Sequence, residues 1–173
     1  MKKILLTLTL AIAFCSLISA QTYTDFITRL NGNERIRIKE TTYGADGSAY
    51  AVGTFFGQVN FNGNNVNSVN GEYDPFIAKI DSLGNWIWFI PVGETSASGT
   101  AYDVAVDTQN NVYVVGSCDS GATALGIQVE NGIFGAGSNN GFFLIKIQQI
   151  VNTPSVSWFK GSNVTTLVNY EKS

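Results

Sequence analysis

The chain of 173 residues has no histidine. That absence removes Ser-His-Asp and Cys-His catalysis and every histidine metal site. Cysteine is nearly as scarce. Cys15 falls in an N-terminal stretch that reads as cleaved, which leaves Cys118 alone. A lone thiol closes no intramolecular disulfide, so the fold is not held by a disulfide framework, and Cys118 reads as a small, half-buried apolar residue. Charged residues make up 13% of the chain and the net charge is −3. The basic residues form no run, so a nucleic-acid footprint is absent and no nucleic-acid partner is expected. No helical apolar stripe occurs beyond the first segment, nor does a second long apolar run, so no membrane span is predicted there.

The first segment has its own pattern. Lys2-Lys3 precedes an almost wholly apolar run, Ile4 to Ile18, and Ile18-Ser19-Ala20 places a small residue before Gln21. This predicts a signal peptide over residues 1–20. A retained anchor and a lipoprotein acylated at Cys15 are the alternatives. The run is short for a span of about 20 residues, and Phe14 stands where lipoprotein signals carry a small residue. The remainder, Gln21 to Ser173, suffices for one modest domain.

What the chain does contain is repetition. Tyr50-Ala51-Val52-Gly53 returns as Tyr113-Val114-Val115-Gly116, at an offset of 63 (113 − 50). Phe76-Ile77-Ala78-Lys79-Ile80 returns as Phe143-Leu144-Ile145-Lys146-Ile147, at 67 (143 − 76), and Trp88-Phe89 as Trp158-Phe159, at 70 (158 − 88). Landmarks in one order with slowly growing offsets mark a repeated unit with loop insertions. Short apolar runs between Gly, Asn, Ser and Asp clusters make the unit strand-rich.

In the first unit the pattern predicts strands over Arg37–Tyr43, Ala49–Phe55, within Asp74–Asp81, and over Trp86–Val92. Val59–Phe61 and Val66–Val69 lie in a connection around Asn62-Gly63. In the second it predicts Tyr102–Asp107, Val112–Ser117, Gly141–Ile147 and Ser155–Lys160, the last after a loop marked by Asn152 and Pro154, with Ile127–Val129 as a possible extension. Four consecutive strands per unit of about 60 residues suggest a propeller blade. The expected organisation is residues 21–34 as a partial outer strand (Tyr23–Leu30), 35–99 as one blade, 100–161 as a second, and 162–173 as the start of a third. The fold class is therefore all-β, two four-stranded antiparallel blades with partial flanking strands. Propellers typically have about four to eight blades, so the chain is expected to be an incomplete one that needs further blades or self-association.

The residues Asn111-Val112-Tyr113-Val114-Val115-Gly116, Val59-Asn60-Phe61-Asn62-Gly63, Asp74-Pro75-Phe76-Ile77-Ala78-Lys79-Ile80-Asp81, Leu83-Gly84-Asn85 and Trp88, in this order along the repeat, resemble the SBBP beta-propeller repeat. The resemblance covers Arg35 to Gly161. The second unit departs from it at Gly141, where an aspartate is expected, and before Trp158, where Gly-Asn is missing. It implies a blade fold and a secreted or cell-surface location in a bacterium, and it brings no catalytic residues with it.

No catalytic, cofactor-binding or metal-binding residues are assigned from the sequence. Asp103 and Asp107 are four apart, which on a strand places both on one face, but Asp107 opens a turn and turn-starting aspartates bond local backbone. Calcium is the cofactor best suited to the available oxygens of Asp74, Asp81, Asp103 and Asp107, yet no stretch has calcium-loop spacing, so no cofactor is expected. Lys79 and Lys146 are matched lysines inside apolar strands, whose stems are expected to pack between blades. Trp86, Trp88 and Trp158 are expected in core or blade-edge packing, with a sugar platform as the alternative. Asp81-Ser82-Leu83 looks like a short O-glycosylation motif, and Asn163-Val164-Thr165 is a sequon. The expected function is non-enzymatic binding, adhesion or scaffolding, with a protein or glycan ligand at the cell surface. A carbohydrate-active propeller enzyme and a structural fragment without independent function are the alternatives.

Overall fold

Each repeat folds as a four-stranded antiparallel sheet. The computed structural model describes residues 35–69, 71–93, 98–119, 121–129, 141–150 and 152–163, all within one compact unit, Gly32–Ser173. In chain order the strands are β1 (Arg35–Tyr43), β2 (Ala49–Phe56), β3 (Gln58–Phe61), β4 (Asn64–Asn67), β5 (Tyr73–Ile80), β6 (Trp86–Pro91), β7 (Thr100–Val106), β8 (Val112–Cys118), β9 (Thr123–Ala124), β10 (Ile127–Gln128), β11 (Gly141–Ile150) and β12 (Thr153–Asn163). The first sheet has the order β1-β2-β5-β6 and the second β12-β11-β8-β7, with β3-β4 and β9-β10 as small side hairpins. Among the described residues there is no helix and no closed barrel, so the expected all-β class with two four-stranded antiparallel sheets holds. The predicted signal peptide, the outer strand expected at Tyr23–Leu30 and residues 164–173 lie outside the described residues.

The registers of the two sheets match. Tyr50 pairs with Lys79 and Lys79 with Trp88; Tyr113 pairs with Lys146 and Lys146 with Trp158. Irregularities repeat too. A bulge follows Lys79 and another follows Lys146, while Lys39 bulges out of β1 opposite Gly53 and Tyr102 out of β7 opposite Gly116. Glycine is required at both bulges: a Cβ on Gly53 would strike the Arg37 carbonyl, and one on Gly116 the matching Thr100 carbonyl. The repeated Tyr-x-Val-Gly thus encodes a ladder residue at its start and a bulge at its end.

Turn chemistry is repeated as well. The Asp81 carboxylate accepts from the backbone N–H groups of Leu83 and Asn85 and from Asn85 Nδ2 (3.0 Å). Asp107 accepts in the same way from Gln109, Asn111 and Asn111 Nδ2 (2.7 Å). Gly84 and Asn110 supply the positive φ of 84° and 60° at the fourth position. At the tips of the side hairpins, Asn62-Gly63 and Leu125-Gly126 both have positive φ at each residue, the hairpin geometry that asparagine and glycine favour.

The second sheet corrects two sequence expectations. The loop expected around Asn152 and Pro154 is shorter: β11 runs on to Ile150, β12 begins at Thr153, and Asn152 turns the chain with φ 65°. Pro154 lies inside β12 opposite Gln149, which is possible because β12 is an edge strand and loses no ladder bond on its outer side. Ser162 and Asn163 pair with Phe142 and Gly141, so they finish the second sheet instead of opening a third repeat.

The main core lies between the sheets. Tyr50, Val52, Ile77, Trp88 and Ile90 of the first meet Val104, Val114, Phe143, Ile145 and Phe159 of the second. Cys118 is buried in this core, as are Ala122, Ala124 and Val129 around the β9-β10 hairpin. Burial pushes the Cys118 thiol up to about 12, with the Asp119 charge adding to it, so it is inert. On its other face the first sheet carries an aromatic cluster: Phe76 stacks on Phe89 (5.1 Å), Phe55 meets Phe89 edge-on (5.4 Å), and Phe61 of β3 meets Trp86 edge-on (5.8 Å).

Candidate functional site

The matched Tyr, Lys and Trp form a cross-strand ladder in both sheets. Lys79 Nζ lies 5.5 Å from the Tyr50 ring centre and Lys146 Nζ 5.3 Å from that of Tyr113. Tyr50–Trp88 and Tyr113–Trp158 are tilted ring pairs at 6.0 and 6.3 Å. The surroundings of the two ladders differ. Lys79 donates to Asp46 Oδ2 (3.1 Å), Gln149 Oε1 (2.9 Å) and Asn152 Oδ1 (3.2 Å). Gln149 also accepts from Trp88 Nε1 (3.3 Å) and donates to the Tyr50 hydroxyl (2.9 Å) and the Asn110 carbonyl (2.8 Å). The Asn110 side chain in turn accepts from Ala45 N–H (3.0 Å). One glutamine and two asparagines of the second sheet's turns therefore clasp the ladder of the first. For Asp46, burial raises the pKa, but the Ser48 N–H and Lys79 outweigh it and hold the carboxylate below its ordinary value.

Around Lys146 that clasp is missing. The position matching Asp46 is Gln109 (46 + 63), and among the described residues Lys146 has no carboxylate partner. The same face changes from closed to open. Val52 and Ile77, a cross-strand pair, are both 0% exposed. Their matched pair, Val115 and Leu144, is 42% and 39% exposed, and Phe142 beside them is 49% exposed. Every second residue of β8 and β11 is instead buried against the first sheet. The apolar strand Phe142–Ile147 thus exposes one face only.

A second feature lies at the bulges. A cleft of about 300 Å³ is lined by Arg37 and Lys39 of β1, Thr54 of β2, Tyr73 of β5, Ser98, Gly99, Thr100 and Tyr102 at the entry to β7, and Ser117 of β8. Arg37 lies over the Tyr73 ring at 5.2 Å, and Arg35 donates to the Tyr73 hydroxyl (3.4 Å), a bond that raises the Arg35 pKa. The Tyr102 and Ser117 hydroxyls are bonded at 3.1 Å. Thr54 Oγ1 donates to the Asp74 and Gly99 carbonyls (3.2 and 3.0 Å) and fixes the cleft wall. The cations of this cleft form no run in the sequence. Their signal is alternation: Arg35, Arg37 and Lys39 occupy every second position of one edge strand.

The carboxylates weighed as calcium or catalytic groups do not converge. Asp81 and Asp107 are taken up by their own turns. These bonds hold Asp81 below the carboxylate range despite partial burial, and for Asp107 the Asn111 side chain is the largest cause of a similar lowering. Asp103 Oδ1 accepts from Val104 N–H (2.8 Å). Asp74 is buried; its Oδ2 accepts from Val69 N–H (2.7 Å), while Oδ1 has no partner among the described residues. Burial pushes Asp74 up to about 7 against that donor, and the charges of Glu72 and Asp119 add to the rise. Among the described residues no three acidic or cysteine side chains are grouped to hold a metal ion. Ser82 and Leu83 are exposed at the β5–β6 turn, Asn163 ends β12, and Val164-Thr165 of its sequon lie outside the described residues.

Comparison with family models, with curated protein sequences and with solved structures finds no match.

Proposed function

We propose that the protein is a secreted or cell-surface binding and scaffold protein of the SBBP beta-propeller repeat type, without enzymatic activity, and that the open face of its second sheet docks a further sheet of the same repeat. The observation carrying this reading is the matched face: Tyr50, Val52, Ile77, Lys79 and Trp88 are covered by the second sheet, and Tyr113, Val115, Leu144, Lys146 and Trp158 present the same ladder on the open side. Contiguous exposed apolar surface of this kind marks an interaction site. A fitting partner is an antiparallel sheet with β-branched and aromatic residues on the docking face, like Val114, Ile145 and Phe143. It carries an amide-bearing turn that reaches the lysine as Gln149 and Asn152 do. The absence of histidine and the turn-locked Asp81 and Asp107 support a role without catalysis.

Sedimentation of the purified protein tests this. With no partner sheet supplied, two open faces meet, and concentration-dependent dimers that Leu144→Arg dissociates are expected. A compact monomer at high concentration, unchanged by Leu144→Arg, would overturn the reading.

A further inference from the structure

We infer that the cleft at the paired bulges is a binding site for an acidic sugar, a pyranose unit bearing a carboxylate, and this does not depend on the docking of further sheets. The cleft joins two kinds of group, cations from the first sheet and an aromatic with hydroxyls from the second. Arg37 and Lys39 are cations without a carboxylate partner among the described residues, in a chain whose net charge is −3. Tyr73 orients the Arg37 guanidinium from one side, which leaves its N–H edge to pair with a carboxylate in the bidentate geometry that arginine favours. Lys39, at the β1 bulge, lines the same cleft and adds a second positive charge.

The opposite wall suits a sugar ring. Tyr102 is 48% exposed, and its hydroxyl is tied to Ser117, so the ring is held in place as a flat apolar platform with a polar rim. Ser98 and Thr100 add hydroxyls able to donate and accept. The volume, about 300 Å³, is at the lower end for ligand sites and limits the occupant to one or two rings. Tyr102 occupies in the second repeat the bulge position of Lys39 in the first (39 + 63), so the repeat puts a cation on one wall and an aromatic on the other by changing one residue type. Asp119 accepts from the N–H of Ser98, so a negative charge lies next to this lining residue and works against a bound anion, more strongly the more charge that anion carries.

Ligand-observed NMR on the purified protein, with sodium glucuronate, glucose, sodium acetate and polygalacturonate as probes, tests the inference. Saturable glucuronate binding at millimolar concentration is expected, with glucose and acetate each at least tenfold weaker, and with weakening as salt is raised. Arg37→Ala and Tyr102→Ala should each lower glucuronate affinity about tenfold or more, and Tyr102→Phe should retain most of it. Unchanged melting curves would show that the exposed substitutions leave the fold intact. Polygalacturonate binding more tightly than the free sugar assigns the cleft to a polymer, and the reverse assigns it to a free sugar acid. No glucuronate binding, equal binding of acetate, or affinity untouched by both alanine variants would overturn the inference.

Discussion

The first sheet and the second are built on one plan, yet the same ladder is sealed in one and open in the other. Lys79 is 2% exposed and has oxygen partners from Asp46, Gln149 and Asn152; Lys146 shares the aromatic contact and none of those partners. The difference shows that the Tyr-Lys-Trp pattern fixes register and side-chain direction within a sheet, while burial is decided by what the adjacent sheet supplies. A buried ammonium is tolerated only where polar partners replace its water. The first repeat meets that condition through an aspartate in its own turn and two amides from its neighbour.

The comparison is broken most forcefully at the matched valines. Val52→Asp should cost about 4 kcal/mol or more, because it buries a carboxylate without a partner. Val115→Asp should cost the fold under about 0.5 kcal/mol while abolishing the concentration-dependent dimer; urea midpoints of the two variants in dilute solution, and sedimentation of the second, check this. Equal losses would mean that the second face is covered.

Asp74 has no acidic counterpart in the second repeat, since Gly141 occupies its place (74 + 67), so pH should act on the first sheet. Its folded pKa, about 7, lies above the ordinary carboxylate value. The native state therefore binds the extra proton, and the stabilisation is present in full below about pH 4 and is lost as pH rises through about 7. The loss should reach on the order of 3 kcal/mol by pH 8. Asp74→Asn should flatten that slope in melting curves taken from pH 4 to 8, and an unchanged slope would place the titration elsewhere.

Gln149→Leu should cost about 2 to 3 kcal/mol, since it strands the Trp88 indole, the Tyr50 hydroxyl and the Asn110 carbonyl and removes one partner of Lys79. The smallest and sharpest contrast lies in the lysines. Lys79→Met should destabilise by about 1 to 2 kcal/mol, because Asp46 is partly exposed and can be rehydrated. Lys146→Met should stay within about 0.5 kcal/mol. Denaturant titrations measured side by side decide all three.

Much of this contrast is legible in residue spacing. The offsets align Tyr50 with Tyr113 and Lys79 with Lys146, and the ladders follow because strand side chains alternate with period two. The aspartate-led turns are legible too, since Asp81 and Asp107 each have an asparagine four residues on that can close the bond. The clasp is not. Gln149 is one of two adjacent glutamines near the end of β11, and nothing in its neighbours indicates that it reaches across to Trp88 and Tyr50. Such contacts depend on how one sheet lies on the next, which periodicity does not encode. Pro154 misleads for a related reason, because a proline that breaks a central strand is harmless on an edge.

The most direct test of one face in two states is thiol labelling of Ile77→Cys and Leu144→Cys in the folded protein carrying Cys15→Ser, against the silent background of the buried Cys118. In dilute solution Leu144→Cys should react at nearly the rate of a free thiol, and its rate should fall as protein concentration rises and open faces pair. Ile77→Cys should react only through unfolding at every concentration. Equal protection of both cysteines in dilute solution would contradict the claim that the second sheet presents the first sheet's docking face uncovered.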